Sequence, residues 1–177
     1  MNTKVFKNVL RTPPIEKFEY VSRKEWGARQ PLREVEKLNY KFPLPFVVLT
    51  YTNTPPCTSV EQCKRSLRKI QTLNMYEDDL PDIKYNWLVG NDGHIYEGLG
   101  WDFAATWNDP RHDRYRLNSV TFAFMDDMSG EVPNPNAMVA LRFLAVEGAK
   151  KNFIKHPITY VRMFAKEDED MGQELLK

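Results

Sequence analysis

The chain contains three histidines, His94, His112 and His156, and none lies four residues from another or beside a cysteine. A zinc-binding histidine pair on a helix needs that spacing to bring both rings to one face, so these three read as scattered surface side chains. No Gly-x-Ser-x-Gly elbow is present to present a serine nucleophile. Gly98-Leu99-Gly100 lacks the third glycine and the strand-to-helix setting of a dinucleotide loop. Asp78-Asp79 and Asp126-Asp127 are adjacent pairs, which in a strand point to opposite faces and do not share a substrate. Taken alone, these residues offer no catalytic centre, no metal site and no cofactor site.

Two other features carry chemical information. Cys57 and Cys63 lie six apart in PPCTSVEQC, and such a pair is a coincidence, half of a metal site, or a disulfide. Without further ligands at metal spacing the pair makes a poor zinc site, so the disulfide is favoured, and with it an oxidising compartment. The loop Ala104-Ala105-Thr106-Trp107-Asn108-Asp109-Pro110-Arg111-His112-Asp113-Arg114-Tyr115 gathers tryptophan, arginine and tyrosine. Those types anchor interfaces, and aromatic faces stack on sugars. Trp107 either packs under its own loop or meets a ligand or partner.

The elements that must hold these residues can be read from periodicity. Phe46 to Thr52 is a β-branched and aromatic run that predicts a buried strand, ended by Pro55-Pro56. Ser59 with Gln62 fits a capping box, and Val60, Cys63, Leu67, Ile70 and Leu73 then follow helical spacing. Tyr85–Gly90 and His94–Glu97 flank Asn91-Asp92-Gly93, a strong hairpin signal. Ser119–Met125 predicts a core strand. Pro133 to Asn152 predicts a second helix, with Met138, Leu141, Leu144, Val146 and Ala149 among its apolar positions. Ile158 to Phe164 predicts a last strand, and Glu174-Leu175-Leu176 could begin a last helix. Strands alternating with long helices predict an α/β domain, a central mixed β-sheet flanked by helices.

Composition sets the outer bounds. A chain of 177 residues with 42% hydrophobic and 12% aromatic residues is globular and long enough for one core. Residues 1–20 lack a clear period and read as an arm; 21–177 read as one domain. Lys and Arg number 25 against 24 Asp and Glu, a net charge of +1, which gives no reason to expect nucleic-acid binding or a membrane-hugging face. Lys64-Arg65 and Arg68-Lys69 are expected on the wet face of a helix. No run of 18 apolar residues occurs, so no membrane insertion by this chain is expected. The first twenty residues lack a signal peptide's apolar stretch, so either such a segment precedes them or the protein is not exported.

Several stretches resemble the peptidoglycan recognition protein family, whose fold is related to N-acetylmuramoyl-L-alanine amidases of phage type. VSRKEWGARQP resembles the start of that domain, and PFVVLTYTNTPPCTSVEQC its first central strand and short disulfide. IQTLNMYEDDLPDIKYNWLVGNDGHIYEGLGW resembles its longest motif. The likeness covers about residues 21–105, and more weakly 119–177. It implies the amidase-like α/β fold and a Cys57–Cys63 disulfide.

The resemblance also implies where catalysis would reside. Catalytic members are similar to zinc enzymes in which two histidines and a cysteine hold the metal, which activates a water with a tyrosine assisting. At the first ligand stretch this chain has Thr50-Tyr51-Thr52; at the second it has Tyr160-Val161-Arg162; at the third, Glu169-Asp170-Met171-Gly172. Only the tyrosine is kept, as Tyr85. Valine has no lone pair to give and threonine is a poor neutral zinc ligand, so the expectation is an inactive amidase with no catalytic residues and no cofactor. Members that bind diaminopimelate-type stems use a Gly-Trp pair and an arginine; here those places are Asp79-Leu80 and Leu99, with Asp79 expected to repel a carboxylate. The groove's Ala-His-Thr becomes Ala105-Thr106-Trp107, followed by a longer loop that could fill the groove.

The expected function is non-catalytic peptidoglycan recognition in innate immune signalling or its regulation, through a heterodimer with a homologous muropeptide-binding domain. Tyr51, Tyr85, Thr106, Trp107 and Arg114 are the candidate ligand or partner contacts. The alternative is direct muropeptide binding with altered specificity. The expected location is extracellular, secreted or as a receptor ectodomain, with a cytosolic isoform as the alternative.

Overall fold

The structure is a computed structural model, which describes residues 19–39, 41–106, 110–127 and 132–163. The arm before residue 19, Trp107, Phe164, the Glu169–Gly172 stretch and the helix expected from Glu174 lie outside the described residues.

Six strands form one mixed sheet: β1 (Tyr20–Val21), β2 (Leu44–Tyr51), β3 (Trp87–Val89), β4 (Ile95–Glu97), β5 (Ser119–Phe124) and β6 (Ile154–Arg162). Their order across the sheet is β1-β4-β3-β5-β2-β6; β3 and β4 are antiparallel and every other pair is parallel. The helices are α1 (Arg23–Trp26), α2 (Val60–Tyr76) and α3 (Pro135–Lys150), and a 3-10 helix spans Pro110–Tyr115. The mixed sheet flanked by helices is the expected fold class.

Element boundaries moved where proline or pairing decided them. The central strand begins at Leu44, earlier than the apolar run implied, because the register with β6 shifts between Leu44 and Phe46. That irregularity accommodates Pro45, which has no amide to give to a ladder. Strand β6 likewise begins at Ile154, so His156 lies within it and not before it; an edge position tolerates Pro157. Tyr20, counted with the arm, instead opens β1, opposite Ile95.

The two long helices bury different kinds of face. Strand residues Val47, Leu49 and Tyr51 cluster with Leu141, Leu144 and their neighbours on α3. On the other face Leu88, Tyr96, Ala123 and Met125 cluster with Cys63, Leu67 and Ile70 of α2. Val146 and Leu73, expected in the core, are 46% and 43% exposed. In the C-terminal half of α2 the polar Gln71 and Asn74 are buried alongside Ile70 and Met75. They face the segments 28–31 and 78–84, whose backbone groups need partners once out of water. Gln71 Nε2 donates to Asp82 Oδ1 at 2.7 Å and to Arg29 O at 3.0 Å, and Asn74 Oδ1 accepts from Lys84 N at 3.2 Å. Arg68 is exposed, as expected, and also sends Nη1 to Trp26 O at 2.7 Å.

Local signals at α2 and the hairpin held with changes in detail. Ser59 caps α2 by accepting from Gln62 N, but Gln62 Oε1 accepts from Thr58 N at 3.0 Å and not from the cap residue. In the turn between β3 and β4 only Gly93 has positive φ. Asp92 acts through its carboxylate, accepting from His94 N at 3.1 Å and from the Tyr96 hydroxyl at 2.6 Å. Cys57 and Cys63 are joined in a disulfide that ties the first turn of α2 to the preceding loop.

Candidate functional site

The site is governed by alternation along β2. In a parallel ladder, register partners share a face. Val48 lies opposite Thr121 and Val161, and Thr50 lies opposite Ala123. Ala123 and Tyr85 belong to the cluster on the α2 side. Thr50, Val161 and Tyr85 are therefore on one side of the sheet, which is the face the resemblance assigns to the metal. Tyr51 is on the other: it is 9% exposed, its ring is 5.2 Å from that of Phe124, and it joins the α3 cluster. Burial and the nearby Asp126 push its phenol up to about 12, partly offset by Arg162. The chain thus separates Tyr51 from the other candidates.

Tyr85 is held by the backbone around it. Its carbonyl accepts from Leu99 N at 2.9 Å, and the Lys84 ammonium lies 5.6 Å from its ring centroid. Burial, then the charge of Asp78, raises the phenol's pKa, so it stays protonated and can donate. Gly98 makes this approach possible, since a Cβ there would lie 2.1 Å from Tyr85 O. Thr106, half-buried, donates its backbone N–H to Lys84 O at 3.3 Å, which brings it beside Tyr85. Arg114 is exposed, with its guanidinium 4.7 Å from the ring centroid of Tyr115.

Tyr115 is the residue the sequence did not single out. Its ring stands edge-on to Phe46 at 5.1 Å, and its carbonyl accepts from Ser119 Oγ at 2.6 Å. Phe46 shares the Thr50 face of β2 by alternation, so Tyr115 lies against that face. The aromatic at the first position of the predicted strand was the available signal. Asn86 was also missed. Buried between Tyr85 and Trp87, it donates through Nδ2 to Gly100 O and Phe103 O at 2.8 and 2.7 Å. Its Oδ1 accepts from Thr121 N at 2.8 Å. One amide thereby splices the 98–103 loop to β5; a polar residue inside an apolar strand was the clue.

The metal chemistry implied by the resemblance does not fit the residues present. Thr50 Oγ1 is engaged, donating to Met163 O at 3.1 Å. Val161 offers no donor atom, and Asp170 lies outside the described residues. Among the described residues no group of three or more His, Cys, Asp or Glu side chains is arranged to hold a metal ion. The stem-contact positions also changed in character. Asp79 is 91% exposed and meets Arg33 Nη1 through Oδ1 at 3.2 Å, a weak surface pair. Leu80 and Leu99 are both buried at 8% exposure.

Comparison with known proteins gives the lineage. No family model matches the chain. Over 125 residues it is 34% identical to peptidoglycan-recognition protein 2 of Holotrichia diomphalia, covering 68% of this chain and 60% of that protein's length. Over 135 residues it is 33% identical to peptidoglycan recognition protein 1 of Rattus norvegicus, covering 76% of this chain and 70% of that protein. A solved complex of the ectodomains of peptidoglycan recognition proteins LCa and LCx, bound to tracheal cytotoxin, superposes with a TM-score of 0.73. Identity there is 26%, and the match covers 81% of this chain and 82% of that one. No described helix is long and apolar enough to cross a membrane. Sheet, disulfide, hairpin motif and relatives agree, and the chain belongs to the peptidoglycan recognition protein family.

Proposed function

We propose that this chain is a single domain, with β1 opening at Tyr20, and a non-catalytic recognition module working in innate immune signalling or its regulation. What carries this is the pair Thr50 and Val161: one offers only a neutral hydroxyl, a weak zinc ligand, and the other side chain has no lone pair. A metal-activated water needs strong ligands at those places. Contact of Tyr115 with Phe46 on the same face supports a groove that does not take muropeptide in the family's usual way. The module then works by pairing with a relative that holds the muropeptide, as the LCa and LCx ectodomains assemble around tracheal cytotoxin. Thr106, Trp107 and Arg114 are the proposed partner contacts. The cystine supports an extracellular setting.

Calorimetric titration of the isolated domain with muropeptides tests this. The expected result is no binding by the domain alone and a co-eluting complex when a muropeptide-loaded relative is added. Micromolar binding by the domain alone would favour the direct-binder alternative. Stoichiometric zinc with chelator-sensitive release of stem peptides would sink the non-catalytic assignment.

A further inference from the structure

On the sheet face opposite Thr50 and Tyr85, α3 and the edge strand β6 border an open concavity of about 650 Å³. Tyr160 lies opposite Val47, which belongs to the α3-side cluster, so the pocket is separated from the candidate groove by the thickness of the sheet. Its walls are Val146, Ala149, Pro157, Ile158 and Tyr160, and its two chargeable lining residues are Lys150 and His156. A volume of this size suits a small ligand. Val146, 46% exposed on α3, is an apolar side chain left open to it.

The surroundings are strongly basic for a chain that is nearly neutral overall. From residue 142 to 162 the charged residues are Arg142, Lys150, Lys151, Lys155 and Arg162 against Glu147 alone, five minus one, or +4. The whole chain carries +1. Lys150 pairs with Glu147 at 3.0 Å but is 69% exposed, so this contact is weak and can be exchanged for a ligand's anion. The C-terminus of α3 contributes a partial negative charge of about half a unit. Its last carbonyls are already engaged by Lys151 N and Phe153 N, and the surrounding cations outweigh it.

We propose that this pocket is a binding site for a single-chain amphipathic anion, its apolar chain on Val146, Ala149, Ile158 and Tyr160 and its phosphate or carboxylate head at Lys150. A concave pocket favours a monomer, because a flat bilayer surface cannot enter it. The site is independent of the groove and of the recognition role proposed above.

Amide chemical-shift mapping of the folded domain with octyl phosphate, below its micellar concentration, tests this. The expected result is saturable shifts confined to residues 142–160, with dissociation in the micromolar to low millimolar range. K150E and V146D change exposed side chains, so each variant's thermal melt should match the wild type while its affinity falls at least fivefold. Inorganic phosphate and octanol should each bind at least tenfold more weakly than octyl phosphate. Shifts elsewhere, equal binding of either half-ligand, unchanged affinity in both variants, or binding only to phosphatidylglycerol vesicles would overturn the proposal.

Discussion

The two faces of the sheet are held by different chemistry. Toward α3, strand and helix meet through apolar side chains such as Leu49, Phe122, Leu141 and Leu144. Toward α2, the sheet also meets loops, and buried polar groups join them: Asn86 to Gly100 and Phe103, Gln71 to Arg29 and Asp82, and Asp82 to Arg23 Nη2 at 2.7 Å. A regular helix satisfies its own backbone and asks only for apolar contact. An irregular segment does not, so side chains must supply its missing hydrogen bonds. The candidate site lies on the face built from loops.

This contrast can be broken at single residues. Asn86→Ala would strand two buried partners and a part-buried one at once, and should cost about 4 kcal/mol, since each unsatisfied buried group costs about 1–3 kcal/mol. Leu144→Ala on the opposite face should cost about 3 kcal/mol, the cavity cost of a buried leucine. Denaturant melts of both variants rank the faces; a larger loss at Leu144 would overturn the claim that the loop-bearing face depends more on single residues. Replacing Cys57 and Cys63 together with serine should cost about 2 kcal/mol through loop entropy, and an unchanged melt would show that the α2 face does not need its covalent tie.

The smallest effect concerns Tyr51. Its ionisation is pushed up to about 12 from an ordinary 10.0 by burial and Asp126. The raised value means the folded state holds the proton more tightly than the unfolded chain. Stability is therefore intact below pH 10 and falls as pH rises from 10 through 12. Tyr85 and Tyr96, raised in the same direction, add to that fall. Tyr51→Phe should flatten part of the alkaline slope, read from denaturant melts between pH 10 and 12. An unchanged alkaline slope would place Tyr51 in water.

Much of the fold was legible because it rests on local periodicity: the β2 run, the α2 stripe, the Asn-Asp-Gly turn and the short cystine all appear where their residues predict. The site was legible only in part. Thr50-Tyr51-Thr52 marks the right strand, but alternation assigns Thr50 and not Tyr51 to the shared face, and that depends on pairing with residues 119–124 and 159–162. Tyr115 could not be tied to Phe46 by any local pattern, since the contact joins segments far apart in the chain.

The position of β2, between β5 and β6, bears on how the protein is made. Its two neighbours follow it by roughly 70 and 110 residues, as Phe46 opposite Ser119 and Leu44 opposite Ile154 show. During synthesis this strand leaves the ribosome with neither flank available, and parallel pairing over such separations is slow. An apolar strand with bare edges is prone to stick to other chains. Nascent chains halted before residue 154 are therefore expected to need chaperone cover.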